Sequence, residues 1–223
     1  MACSCCAGES LDIFGEKGAR RELRRYLDKG LGGGDARLIA SWAEERGLEG
    51  ATVVEVGGGI GQVEAELLRR GAAAGKVVEV VAAYGAVAGD LARAVDVDDR
   101  SVFVLADLLE DPDAFEQTDI VVLRRVVCCS PEGPELLGRA AAKTRGTLLA
   151  SYPRDRFLVR AVVRLQNAGF RLVRKRFRVF VHAPARLERA ATERGLVRTR
   201  VSRGAVWETA QFDVRPQALL TNS

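Results

Sequence analysis

Val53-Val54-Glu55-Val56-Gly57-Gly58-Gly59-Ile60-Gly61-Gln62 joins a run of β-branched residues to an acid, a set of alternate glycines and a helix-forming segment. That order predicts a buried strand that turns sharply into a helix, with bare backbone where a ligand can approach closely. A dinucleotide turn of the form G-x-G-x-x-G would need its last glycine at position 62, which is Gln. The spacing is instead G-x-G-x-G, with Glu55 two residues ahead of it. A nicotinamide-dependent oxidoreductase is therefore the weaker alternative.

Outward from this turn, apolar runs alternate with helical stretches. Strands are expected at 51–56, 76–81, 101–106, 119–124 and 147–152, and helices at 61–70, 83–95 and 133–143. Near-continuous apolar strands separated by helices predict a parallel sheet covered on both faces. Ahead of them, Arg20 to Leu27 reads as a short helix. Asp35 reads as the cap of a second helix whose Leu38, Ile39 and Trp42 share one face. Behind them, Pro184 starts a helix ending near Gly195, and strands at 196–202 and 205–213 flank the turn at Arg203-Gly204. The expected organisation is a disordered tail at 1–18, one domain at 19–214 and a tail at 215–223. The domain divides into a helical lid (19–48), a core (49–152), a basic insert or cap (153–183), and a closing helix and hairpin (184–214).

The chain has 223 residues and 48% hydrophobic content, enough for one well-filled α/β domain. No apolar run approaches the ~18 residues of a membrane-spanning helix. No charged leader precedes an apolar segment at the N-terminus, so a cleaved signal is not expected. A net charge of +4 is too small to argue for nucleic acid by itself. Cysteines at 3, 5, 6, 128 and 129 form no disulfide framework, which points to the cytoplasm. Cys3-Ser4-Cys5-Cys6 lacks C-x-x-C spacing and a companion His, so no metal is expected there.

Two further acids close strands. Glu79 lies among Val77, Val78, Val80 and Val81, where an unpaired buried acid is costly, so a partner is expected. A carboxylate there can accept from both hydroxyls of a ribose. Asp107 ends the third strand in Leu105-Ala106-Asp107-Leu108, placed for a ligand or for capping the next turn. Asp119 starts the fourth strand and is expected to play no catalytic part.

In this form the glycine segment resembles motif I of class I S-adenosylmethionine-dependent methyltransferases. The resemblance implies a Rossmann-like α/β fold: a seven-stranded, mostly parallel sheet with helices on both faces, an N-terminal helical lid and a basic helical insert before the last helix. It implies S-adenosylmethionine as cofactor, with Glu55, Gly57, Gly58, Gly59 and Gly61 around its methionine part. Glu79 and Val80 would meet the ribose, Asp107 and the Leu108 amide the adenine. Residues 119–131 occupy the place of motif IV, with Arg124 beside the cofactor and toward the acceptor. Tyr26, in Arg25-Tyr26-Leu27-Asp28-Lys29-Gly30, extends the likeness to magnesium-protoporphyrin methyltransferases and their actinobacterial relatives, over residues 20–213. In that family a Tyr of this segment lies over the cofactor and is a catalytic candidate. The family's His-Tyr pair after the fourth strand is replaced here by Cys129-Ser130, and the only His is His182.

Methyl transfer from a sulfonium asks mainly for near-attack geometry in a site that excludes water. An acceptor carboxylate is already ionised at neutral pH and needs no base. Phenol or amine acceptors would need Tyr26 or His182 to supply one. Cys128-Cys129 lacks the preceding proline of the cytosine-C5 enzymes and is read as acceptor-pocket lining. Residues 154–178 carry nine Arg and Lys against Asp155 alone. This insert fits anionic groups on the acceptor, with Arg154 and Arg156 the candidates, or an anionic membrane surface, or a solvated face. RNA is disfavoured, since only Phe170, Phe177 and Phe180 lie nearby for stacking. The expected activity is methyl transfer to a small, hydrophobic, anionic acceptor through oxygen. A cofactor-binding module without catalysis is the rival.

Overall fold

The structure is a computed structural model and describes residues 14–215. The Cys3-Ser4-Cys5-Cys6 cluster lies outside the described residues. The helices are α1 (Glu16–Lys29), α2 (Gly34–Glu45), α3 (Gln62–Arg69), α4 (Gly85–Ala94), α5 (Gly133–Ala142), α6 (Phe157–Leu172) and α7 (Pro184–Thr192). The strands are β1 (Thr52–Val56), β2 (Ala74–Glu79), β3 (Ser101–Leu105), β4 (Thr118–Arg124), β5 (Thr144–Pro153), β6 (Leu196–Arg203) and β7 (Trp207–Val214). They form one sheet in the order β3-β2-β1-β4-β5-β7-β6, in which β1 to β5 pair in parallel and β7 runs antiparallel to β5 and β6.

Strand alternation sorts the apolar side chains between two cores. Val53, Ile120, Val122 and Leu149 pack against α1 to α4. Val54, Val121, Leu123 and Leu148 pack against α5 and α7. Both faces being covered is why these strands read as continuous apolar runs. α6 contributes to neither core and buries only Val159. Strand order reverses between β1 and β4, which opens a crevice at their carboxyl ends, where ligands of such sheets collect. Asp119 ties these two strands together at the opposite end. Its Oδ2 accepts from the Thr52 amide (2.9 Å) and hydroxyl (2.7 Å).

Three local expectations are corrected. Residues 16–18, expected in the tail, belong to α1, whose first turn is strengthened by the Glu16–Arg20 pair at 2.8 Å. Asp35 lies inside α2 and caps nothing, because its carboxylate is drawn to Arg125 (2.7 Å) and Arg124 (3.2 Å). β5 extends to Pro153 because β7 pairs with it out to Trp207.

Candidate active site

The β1–α3 turn is a place of close approach. Gly57 has φ +63°, and a Cβ there would lie 2.2 Å from a Val126 methyl. Gly61 has φ +76°, and its Cβ would lie 2.5 Å from a Val77 methyl. Backbone conformation and space both demand glycine at these two positions. The Glu55 carboxylate fastens the turn to the helix that follows. Its Oε2 accepts from the amides of Val63 (3.1 Å) and Glu64 (3.0 Å), in the manner of an N-cap. Burial pushes its pKa up to about 7, against the pull of these amides and of Arg124.

Glu79 ends β2 with its carboxylate engaged by three amides. Oε2 accepts from Gly59 (2.9 Å), and Oε1 from Val80 (2.8 Å) and Val81 (3.0 Å). An ionised carboxylate offers about four acceptor positions, so about one remains for a further donor. Burial raises its pKa while the three amides oppose the rise. Asp107, beyond β3, accepts from the Leu109 amide through Oδ1 (2.9 Å). Its Oδ2 has no hydrogen-bond partner among the described residues.

Glu55, Gly57, Gly58, Gly59, Glu79, Val80, Asp107, Leu108 and Arg124 all line one cavity of about 640 Å3 over the carboxyl ends of the strands. Other lining residues escaped the sequence reading. Glu22 and Arg25 come from α1, Tyr84 from the turn after β2, and Ser130 from the turn after β4, beside Cys129, which was expected to line the pocket. Phe14 and Phe177 meet edge-to-face at 5.0 Å over the cavity, and Phe170 of α6 backs Phe177 at 5.8 Å. Burial, then the charges of Glu22 and Glu79, raise the Tyr84 phenol above its ordinary pKa. Its hydroxyl has no hydrogen-bond partner among the described residues. The signals available were the position of Tyr84, five residues past Glu79, and an acid and an arginine on α1 just ahead of Tyr26.

Five expected site residues do not line this cavity. Gly61 serves helix–strand packing against Val77. Tyr26 is 4% exposed and donates its hydroxyl to Glu66 Oε2 at 2.8 Å, which pins α1 to α3. Burial and this acceptor push its pKa up to about 12, so it is neither over the cavity nor a base at neutral pH. Tyr26→Phe is expected to cost about 1 kcal/mol of stability. Ligand binding in the cavity should be unchanged, with a melting curve and a calorimetric titration as the two readouts. His182 is 9% exposed, and its Nε2 lies 3.1 Å from the Val127 carbonyl and 3.0 Å from that of Ser130. Two carbonyl acceptors require Nε2 to carry the proton, so this imidazole braces the β4–α5 turn. Burial also lowers its pKa. Arg154 points away from the cavity and donates to the Gly204 carbonyl at 2.7 Å, and Arg156 precedes α6 on the surface.

The β4–α5 turn carries a second constellation. Arg125, at φ +55°, forks onto Asp35 through Nε (2.8 Å) and Nη2 (2.7 Å) and stacks over Trp207 at 4.4 Å. Arg124 donates to Asp35 and to the Gly32 carbonyl. The thiols of Cys128 and Cys129 both donate to the Arg125 carbonyl, at 3.3 and 3.4 Å. Cys129 faces the cavity and Cys128 is buried. Of the three arginines lining the cavity, Arg25 is the one without an ion pair among the described residues.

No family model matches the chain, and no curated protein matches it by sequence. Solved structures match it in fold. A magnesium protoporphyrin IX methyltransferase from Synechocystis PCC 6803, with bound SAH, aligns with TM-score 0.68 at 17% identity, over 92% of this chain and 97% of that one. An O-methyltransferase family protein from Burkholderia thailandensis aligns with TM-score 0.66 at 18% identity, over 90% of this chain and 59% of that one. The 4+2 cyclase SpnF also aligns, with TM-score 0.61 at 13% identity over 80% of each chain, so the fold alone does not name a reaction. The fold is that of the Rossmann-like methyltransferases.

Proposed function

We propose that this chain is an S-adenosylmethionine-dependent methyltransferase acting on a small molecule, with a carboxylate oxygen as the nucleophile. The observation that carries the proposal is the convergence of three carboxylates and the glycine turn on one cavity. Glu55, Glu79 and Asp107 stand at or just past the ends of three adjacent strands, β1, β2 and β3. These residues suit the cofactor. Glu79 keeps an acceptor position for a ribose hydroxyl, Asp107 keeps Oδ2 for an amino group, and the bare backbone at 57–59 admits a bulky sulfonium. Bound there, the cofactor supplies an electrophilic methyl group.

The chain's own part is to bind, orient and keep water out. The Phe14–Phe177 roof shields the cavity, which strengthens every polar contact beneath it. Arg25 is the available cation for an acceptor carboxylate and takes the place expected for Arg154 and Arg156, while Arg124 and Arg125 are held by Asp35. The Tyr84 phenol stays protonated at neutral pH and serves as a donor, never a base. Among the described residues no imidazole faces the cavity, which suits an acceptor that arrives ionised.

Titration calorimetry with S-adenosylhomocysteine, with NADH as comparison, tests the cofactor class. Binding in the micromolar range with no heat from NADH is the expected result. Absence of binding, or preference for NADH, would overturn the assignment.

A further inference from the structure

We propose that α6 seats this protein on an anionic lipid surface. The helix has three distinct sides. Its inner side carries Val159, Asn167 and Phe170, and Asn167 is locked to Val179 by two hydrogen bonds, Nδ2 to the carbonyl (2.8 Å) and Oδ1 from the amide (2.9 Å). Phe170 meets Phe177 on the same side. These contacts fix which side faces outward. The outer side presents Phe157, Leu158, Val162, Leu165 and Leu172, with Leu165 75% and Leu172 85% exposed. At 100° per residue these five fall within one arc, and Arg160, Arg164 and Arg171 fall together along one edge of it. Arg160 pairs with Asp155, whereas Arg164 and Arg171 have no ion pair among the described residues.

A long apolar stripe edged by unpaired cations of one sign matches a bilayer with anionic headgroups: side chains in the acyl boundary, guanidinium groups on phosphates. At about 1.5 Å per residue the helix lies along the surface for roughly 24 Å. No described helix is long and apolar enough to cross a membrane, so α6 lies on the bilayer and does not span it. A second copy is a poorer occupant. Two-fold packing of this stripe on itself brings the same arginine edges together, with no acid on the outer side to offset them. Nucleic acid would satisfy the arginines and leave the apolar stripe in water.

Seating also places the cavity. Phe170, on the inner side of α6, touches Phe177, and Phe177 with Phe14 forms the roof. The roof therefore sits beside the lipid boundary. If the methyltransferase proposal holds, the acceptor it admits belongs to the class of membrane-dissolved amphiphiles with a terminal carboxylate.

The test is co-sedimentation of the full chain with vesicles of phosphatidylcholine alone, or with a third phosphatidylglycerol, at low and high salt. Partition into the anionic vesicles at least about tenfold above the neutral ones, reduced by salt, is expected. Leu158→Glu with Leu165→Glu should abolish it, and Arg164→Glu with Arg171→Glu should reduce it at least about tenfold. Both variants change exposed side chains, and an unchanged melting temperature and circular dichroism spectrum will show them folded. Equal partition into neutral vesicles, no partition, or indifference to the leucine variant overturns the proposal. So does a dimer in light scattering that Leu165→Glu dissociates. Vesicle binding and homocysteine-product binding are measured separately, so either proposal can fail while the other stands.

Discussion

Glu79→Ala is expected to lower S-adenosylhomocysteine affinity by roughly 10- to 100-fold. One hydrogen bond from a ribose hydroxyl to the acceptor position that Glu79 keeps free is worth about 1.5–3 kcal/mol, and about 1.4 kcal/mol already makes tenfold. The substitution has a second effect on the empty protein. It strands the amides of Gly59, Val80 and Val81, all of which end on this carboxylate. A lower melting temperature is therefore expected alongside the lost affinity. Glu79→Gln should not be benign either. With Gly59 facing one oxygen and Val80 and Val81 the other, either orientation of the amide sets a donor against a donor. Calorimetry on folded protein decides the matter. An affinity within threefold of the parent for Glu79→Ala would remove Glu79 from the ligand.

The second large effect is a gain. Glu64→Gln should raise the melting temperature at about pH 8.5 by roughly 5–10 °C and change it little near pH 5. Glu64 is 1% exposed and leaves Oε1 without a partner among the described residues. Burial, reinforced by the charge of Glu55, pushes its pKa up to about 8 from 4.5. The native state thus holds a proton that the unfolded chain releases. Stability falls as pH rises through the window from 4.5 to about 8, by an amount on the order of several kcal/mol. A neutral isostere abolishes that loss. A parent melting temperature that is flat across this range, or a variant less stable at the alkaline end, would contradict the protonated state.

The core of the fold was legible because each signal was local. Five apolar runs separated by helical stretches dictate a parallel sheet, and Gly57 and Gly61 announce a turn that only glycine can make. Glu55, Glu79 and Asp107 were findable because a carboxylate at or beyond the end of a buried strand has few places to point. Errors arose where direction depends on tertiary packing. Tyr26 and Tyr84 are both tyrosines near a predicted helix or strand end. One is captured by Glu66 and the other by the cavity, and nothing near either in sequence distinguishes them. His182 meets two carbonyls more than fifty residues away. Arg25 lines the cavity and Arg154 does not, because α1 folds back over the strand ends while Arg154 turns to the Gly204 carbonyl. Asp35 resembled a cap because its partners Arg124 and Arg125 lie about ninety positions later.

The position of β7 bears on how the chain is made. It is the last described strand in sequence, yet it sits inside the sheet, paired to β5 on one side and β6 on the other, and is buried from Glu208 to Asp213. Synthesis from the N-terminus therefore completes the parallel part of the sheet first and leaves one edge of β5, ten residues long, unpaired. β6 emerges before its only neighbour exists and cannot attach until residues 207–214 slot in between. Throughout that interval a nascent chain displays an open strand edge of the kind that recruits other chains. Yield from a ribosome or a refolding vessel will then be set by how quickly one late hairpin seals that edge.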